Sequence, residues 1–366
     1  MSQKRNNSRL HPVHRTQRTL SLLASSCVVT LAMLPSTGSW AAADDLAICA
    51  QEIPESVIST CKAVIDASER SSAEKVQAHI SRGNGYFKMG NYDQALQDYD
   101  EAIGLDPSNT AALYNRGNIK TAVGQYDKAV ADYSKAIQLN PTYAAAFNNR
   151  CFAYNAAGYY DLAENDCRRA INLDPKQNPK QTNAYLGLGN ALNNKAEHDK
   201  SLYSESLQAY DDAIKWDANN AKAFLGRCSV DIKTSKFDSA IENCSQAIKL
   251  QPNDPIGWNN RCWSRAVVGQ FQPALEDCNQ ALKLQLNDPF SRDSRAFAYL
   301  KMGQFDQAIA DYDQALQLQP RRTTSLYGRG IAKLKKGDVT GGNEDINAAK
   351  REDPSIVEQF RAYGLP

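Results

Sequence analysis

The side chains of this 366-residue sequence with the clearest potential for chemistry are its nine cysteines. Six of them fall in three pairs of identical spacing: Cys151 with Cys167, Cys228 with Cys244, and Cys262 with Cys278, each sixteen residues apart. Two such thiols can be oxidised to a disulfide if the intervening chain brings their Cα atoms to about 4.4–6.8 Å. Other reactive constellations are missing from the sequence. It has no G-x-x-x-x-G-K-[ST], H-E-x-x-H, G-x-S-x-G or C-x-x-C, and beyond residue 43 its only histidines are His79 and His198. The expectation is a chain that is not an enzyme, with no catalytic, cofactor or metal site.

The elements that must position the cysteines repeat. The stretch from Ser81 to Pro107, moved forward by 34 residues, superimposes Arg82, Gly83, Gly90, Tyr92, Ala95, Tyr99, Ala102 and Pro107 on Arg116, Gly117, Gly124, Tyr126, Ala129, Tyr133, Ala136 and Pro141. With the small residue after the arginine as position 8, the same slot recurs at Gly83, Gly117, Cys151, Gly189, Cys228, Cys262, Ala296 and Gly330. Within each unit, apolar and small residues follow helical spacing in two runs broken by a glycine, so each unit is a helical hairpin. One hairpin cannot bury its apolar face alone, and eight copies must stack. Positions 8 and 24 face each other where the two helices lie closest. They hold cysteine together in repeats three, five and six and in no other repeat. A bridge inside each of these hairpins follows. The alternative is cysteine as a small buried residue in place of Gly or Ala; three coordinated double occurrences weigh against it.

A second relation of sixteen residues runs beside the cysteines. Position 7 is arginine in seven repeats, and in the same repeats position 23 is an acid or, once, Asn243. The expected pairs are Arg82 with Asp98, Arg116 with Asp132, Arg150 with Asp166, Arg261 with Asp277, Arg295 with Asp311, and Arg329 with Asp345, each tying the two helices of a hairpin. A rival geometry would join Arg116 to Asp98 across adjacent repeats. Repeat four lacks both partners, having Leu188 and Ala209, which favours pairing within the hairpin.

These small-residue, Gly-x-Tyr, Ala and Pro slots, eight times in register, resemble the tetratricopeptide repeat family over about three-quarters of the chain. The resemblance implies an all-α, right-handed solenoid of helix-turn-helix repeats starting near residues 76, 110, 144, 182, 221, 255, 289 and 323. It also implies a groove lined by the first helices that takes protein or peptide partners. Carried onto this sequence, the groove slots hold Tyr114, Asn118, Asn148, Phe152, Asn190, Asn193, Trp263, Phe297 and Tyr327. Amide side chains can bond any peptide backbone and exposed aromatics supply apolar anchors. The expected function is a non-catalytic interaction scaffold. The alternative is a carrier of peptide or glycan fragments for envelope enzymes, which would need a deep pocket around Trp263.

The flanks complete the reading. Residues 1–43 contain five of the 42 Lys and Arg and none of the 41 Asp and Glu, with an apolar run from Leu20 to Leu34 and small residues after it. This pattern predicts a cleaved signal peptide and export, most simply to a bacterial periplasm; secretion, lipid anchoring at Cys27 and an organelle transit peptide are the alternatives. The run is shorter than the roughly 20 residues of a spanning helix, so no integral membrane span is expected in the mature chain. The remainder is mildly acidic and has no basic run longer than two residues, which argues against nucleic acid. Residues 44–75 are expected to form a helical cap with a Cys49–Cys61 bridge. Residues 350–366 should form a capping helix at the other end, because a solenoid end exposes an unpaired apolar face. The lengthened connections of repeat four, Lys176 to Pro179 and Lys195 to Ser206, read as surface loops or, alternatively, as a partner-binding insertion.

Overall fold

The structure, a computed structural model, describes residue 49 and residues 54–174 and 180–366. The expected leader, Cys27 and the first inserted loop of repeat four lie outside the described residues. Those described form eighteen helices and no strand, none long and apolar enough to cross a membrane. They fall into two compact units, one ending at Gln125 and one starting at Tyr126.

In the first unit, Pro54–Asp66 packs on Ser72–Lys88, which packs on Tyr92–Leu105, which in turn packs on Thr110–Ala122. Val57, Cys61 and Val64 turn inward together with Cys49, so the first helix covers the exposed face of the first repeat. The first helix of repeat one starts at Ser72, a turn earlier than the repeat register near 76. Ser71 and Glu74 form a capping box there, each side chain accepting from the other residue's backbone N–H.

The second unit opens with Tyr126–Leu139 and continues as hairpins of closely similar length. In repeat three, Ala144–Ala157 pairs with Tyr160–Leu173; in repeat six, Pro255–Val267 pairs with Phe271–Leu284; in repeat seven, Pro289–Lys301 pairs with Phe305–Leu318; and in repeat eight, Thr323–Lys336 pairs with Val339–Glu352. First helices touch the first helices of neighbouring repeats and second helices touch the next first helix, while second helices do not touch one another among the described residues. The first helices therefore form the inner layer. Outside repeat four, the turn inside each hairpin uses a left-handed residue: Gly90, Gly124, Gly158, Gly269, Gly303 and Gly337 supply it with φ of 75–91°, and in repeat five Ser235 takes its place at φ 58°. Repeat four absorbs half of its second insertion as helix. Lys180–Lys195 and Leu202–Trp216 leave only six residues between them, and Ala196 is buried in that connection.

The hairpin interface is filled by a cystine, by a tyrosine or, in repeat eight, by Ile346 against Gly330. Where positions 8 and 24 are cysteine, the Cα atoms lie 5.4 Å apart in all three repeats and the sulfurs are bonded, as are Cys49 and Cys61 at 4.9 Å. Where position 24 is tyrosine, its ring occupies that space against a small residue. A Cβ on Gly83 would meet the Tyr99 ring at 2.9 Å, and one on Gly189 would meet Tyr210 at 2.6 Å. The same filler also presses on position 6 of the next repeat: a Cβ on Gly187 would lie 2.6 Å from Cys167 Sγ. A tyrosine over a glycine and a cystine are two solutions to one packing problem.

The arginines do more than the hairpin reading asks of them. Arg150, Arg295 and Arg329 each grip Asp166, Asp311 and Asp345 with Nε and Nη2 at 2.6–2.8 Å. Arg261 holds Asp277 in the same way, and Arg82 holds Asp98 alongside His79. The remaining Nη1 reaches sixteen residues backward into the preceding repeat: Arg150 to Ser134, Arg261 to Ser245, Arg295 to Asn279, Arg329 to Asp313, and Arg116 to Asp100. One guanidinium thus fixes both the hairpin and the stacking of neighbouring repeats. The rival pairing of Arg116 with Asp98 does not form. Asp98 is taken by Arg82, and Arg116 turns to Asp100 two residues along. Arg116 lies in the first unit and Asp132 in the second. Arg227, opposite Asn243, keeps only the backward ion pair among the described residues, to Asp211 at 3.0 Å. In repeat four Leu188 and Ala209 are both buried, an apolar pair where the others have an ion pair.

Candidate functional site

The inner layer of the second unit is built from first helices, whose positions 5, 9 and 13 point away from their own second helices. In repeat three this layer is open. Phe152 is 54% exposed, with Tyr159 and Leu162 exposed nearby in the sequence, and Asn148 is half-buried. Asn155, one turn beyond Phe152, donates to the Gly187 carbonyl at 2.9 Å and so ties this helix to repeat four.

Further along, the structure departs from the expected groove. Asn190 accepts from the Tyr210 hydroxyl at 2.8 Å, and Asn193 is buried and receives Lys233 Nζ at 3.2 Å. These amides are committed to the fold rather than turned to a ligand. Phe297 is 1% exposed and Tyr327 is 4% exposed, where exposed anchors were expected. Trp263 packs against Phe297 with ring centroids 4.6 Å apart, so the vacant pocket a glycan carrier would need around Trp263 is filled. In the first unit, Tyr114 and Asn118 are both half-buried.

The cover over Phe297 and Tyr327 is the end of this same sequence. Ile356–Ala362 forms a short helix whose Ile356 and Phe360 are buried against repeat eight. Phe360 packs on Tyr327 at 4.7 Å and on Phe297 at 6.0 Å. The chain then runs on over the inner layer. Tyr363 sets its ring at right angles to Trp263 at 5.2 Å and to Phe297 at 6.0 Å, and reaches Phe237 of repeat five at 6.2 Å. Gly364, at φ 79°, turns the backbone. Two side chains of the layer then hold carbonyl oxygens: Lys301 Nζ donates to Tyr363 O at 2.6 Å, and the Tyr327 hydroxyl donates to Pro366 O at 3.0 Å. Burial pushes the Lys301 ammonium below the usual lysine range and the Tyr363 phenol above the usual tyrosine range.

The sequence announces Phe360 and Tyr363 as one face of a helix but carries no sign of how far inward that face reaches. The backward arm of the arginines was open to inspection, because position 25 is polar in most repeats and stands sixteen residues before the next arginine.

Comparison with known proteins gives the same picture of the fold. The tetratricopeptide repeat family model matches residues 76–109, 110–143 and 294–322. A stretch of 47 residues, 13% of this chain, is 49% identical to the mitochondrial import receptor subunit TOM70 of Rattus norvegicus, and 43 residues, 12% of this chain, are 51% identical to its Mus musculus counterpart. The chain spans less than a tenth of the length of these relatives, 8% and 7%. Among solved structures, a tetratricopeptide repeat protein from Parabacteroides merdae aligns with a TM-score of 0.52 at 18% identity, over 67% of this chain and 92% of that one. Pseudomonas aeruginosa pilF aligns with a TM-score of 0.52 at 16% identity, over 62% and 98%. At these identities the likeness to solved structures is one of fold. The family model thus identifies three of the eight hairpins as tetratricopeptide repeats, and the other five share their register.

Proposed function

We propose that the protein is a non-catalytic scaffold that binds polypeptide partners along the inner layer formed by its first helices. The observation that carries this reading is that the layer already holds a polypeptide: residues 360–366 lie across repeats five to eight through ring packing and two hydrogen bonds to backbone carbonyls. The bonds to main-chain oxygens tolerate any sequence and the ring packing supplies apolar anchors, as in a peptide groove, while Phe152 leaves a further anchor open in repeat three. The place of action in this reading is an oxidising compartment reached through the amino-terminal leader, most simply a periplasm. All eight cysteines beyond residue 43 are paired in disulfides, which supports it.

The test is site-specific photocrosslinking. A photoreactive side chain at position 152 should capture polypeptides, and one at exposed Arg169 on the second helix of the same repeat should not. Equal capture from both positions overturns the groove. Fractionation of the cells that make the protein, with mass measurement of its mature form, tests the compartment and the leader.

A further inference from the structure

A cap has only to cover the open face of repeat eight, and Ile356 and Phe360 do so. Tyr363 to Pro366 go beyond that task. They cross the inner layer to Trp263, two repeats back, and to Phe237, three repeats back. The segment is held lightly for such reach. Its helix has only seven residues, and Arg361, Ala362, Gly364 and Pro366 are exposed, which are the marks of a segment that opens locally. The layer beneath it keeps unused capacity: the partly buried Lys301 ammonium meets only a neutral carbonyl, with no acid against it among the described residues. What the layer recognises is legible from what it holds, namely two aromatic rings one helical turn apart followed by a turned backbone.

We propose that repeats six to eight form a peptide site whose present occupant is residues 355–366 of the chain itself, and that its outside ligands are polypeptide segments carrying two aromatic residues at i and i+3, which bind by displacing that occupant. This deepens the scaffold reading and rests on it. The exchange replaces ring contacts by ring contacts, so the two states differ little in free energy, and the affinity for an outside segment is lowered by the fraction of time the site is covered.

The experiment uses the full, oxidised chain and a fluorescein-labelled peptide of residues 354–366, read by fluorescence anisotropy. Tyr363→Ala loosens the occupant, so that Phe360 gives up its place on Tyr327 and Phe297 more readily to the first ring of the peptide. Gly364→Ala loosens it independently, because a Cβ there would strain the backbone at φ 79° and approach Lys301 Nζ at 3.3 Å. Each variant should bind the peptide about tenfold more tightly than the unaltered chain, as expected if the occupant covers the site about nine-tenths of the time. A peptide with alanine in place of both rings should bind to neither, and Trp263→Ala in the Tyr363→Ala background should abolish the gain. Unchanged affinity in both variants, or equal binding of the alanine peptide, overturns the proposal. Capture at position 152 reports on the open part of the layer, so a chain that crosslinks there yet gains no affinity loses this inference and keeps the scaffold reading.

Discussion

Arg295 and Arg261 occupy the same slot in adjacent repeats, yet their loss should be felt very differently. Asp311 is 4% exposed and is held by Arg295 alone among the described residues, through two bonds of 2.7 Å. Arg295→Ala leaves that carboxylate buried and unpaired and also frees Asn279 of the preceding repeat. Breaking a buried pair on one side costs about 3–5 kcal/mol. Asp277 is just as buried but has a second cation, Arg265, whose Nη1 lies 2.8 Å away. Arg261→Ala therefore removes hydrogen bonds without stranding the charge, a loss of about 1.5–3 kcal/mol. The sequence alone would single out Arg261 as readily as any other member of the set. Repeat four shows what an uncharged version looks like, with Leu188 and Ala209 in the two slots, so Arg295→Leu with Asp311→Ala should lose at least about 2 kcal/mol less than Arg295→Ala. The assay is urea unfolding of the oxidised chain followed by far-ultraviolet circular dichroism. If Arg295→Ala proves no more damaging than Arg261→Ala, or the apolar double variant falls below the single one, the account of these arginines as buried charge partners is wrong.

Reduction of the disulfides should lower stability by about 3 kcal/mol for each sixteen-residue bridge, measured by comparing denaturation midpoints with and without reductant; native oxidised protein should show no titratable thiol beyond residue 43. Ser235→Gly should stabilise repeat five by about 0.5–1 kcal/mol, because it relieves a serine held at φ 58° and loses only part of that gain to the freer unfolded chain; a lower melting temperature would contradict this. Gly189→Val should cost about 1–3 kcal/mol or more, since its Cβ would meet the Tyr210 ring at 2.6 Å, and a neutral result would show that the hairpin can widen there. Burial works against ionisation of Asp345, but the cations of Arg329 and Lys333 overcome it and hold the carboxyl below its ordinary value. Its contribution is therefore complete above the ordinary carboxylate range and is lost as the pH falls below it. Asp345→Asn should be less stable than the unaltered chain at neutral pH and should lose less on acidification, as followed by unfolding at pH 7 and pH 3.

What the primary sequence determined by itself is everything carried by period and by the size of side chains. A small residue at position 8 facing Tyr or Cys at position 24 is a statement about how closely two helices approach, and the closeness is set within one hairpin of 34 residues. The same holds for Arg82 with Asp98 and for the cysteine pairs, where sixteen residues of antiparallel helix fix the partners whatever the rest of the chain does. The surface was not legible in this way. Phe152 and Phe297 sit at the same position of their repeats, and one is exposed while the other is covered, because the cover comes from Phe360 and Tyr363, more than sixty residues beyond Phe297. Contacts between segments far apart along the chain depend on how the hairpins stack and on where the last helix comes to rest, and only the tertiary structure decided those.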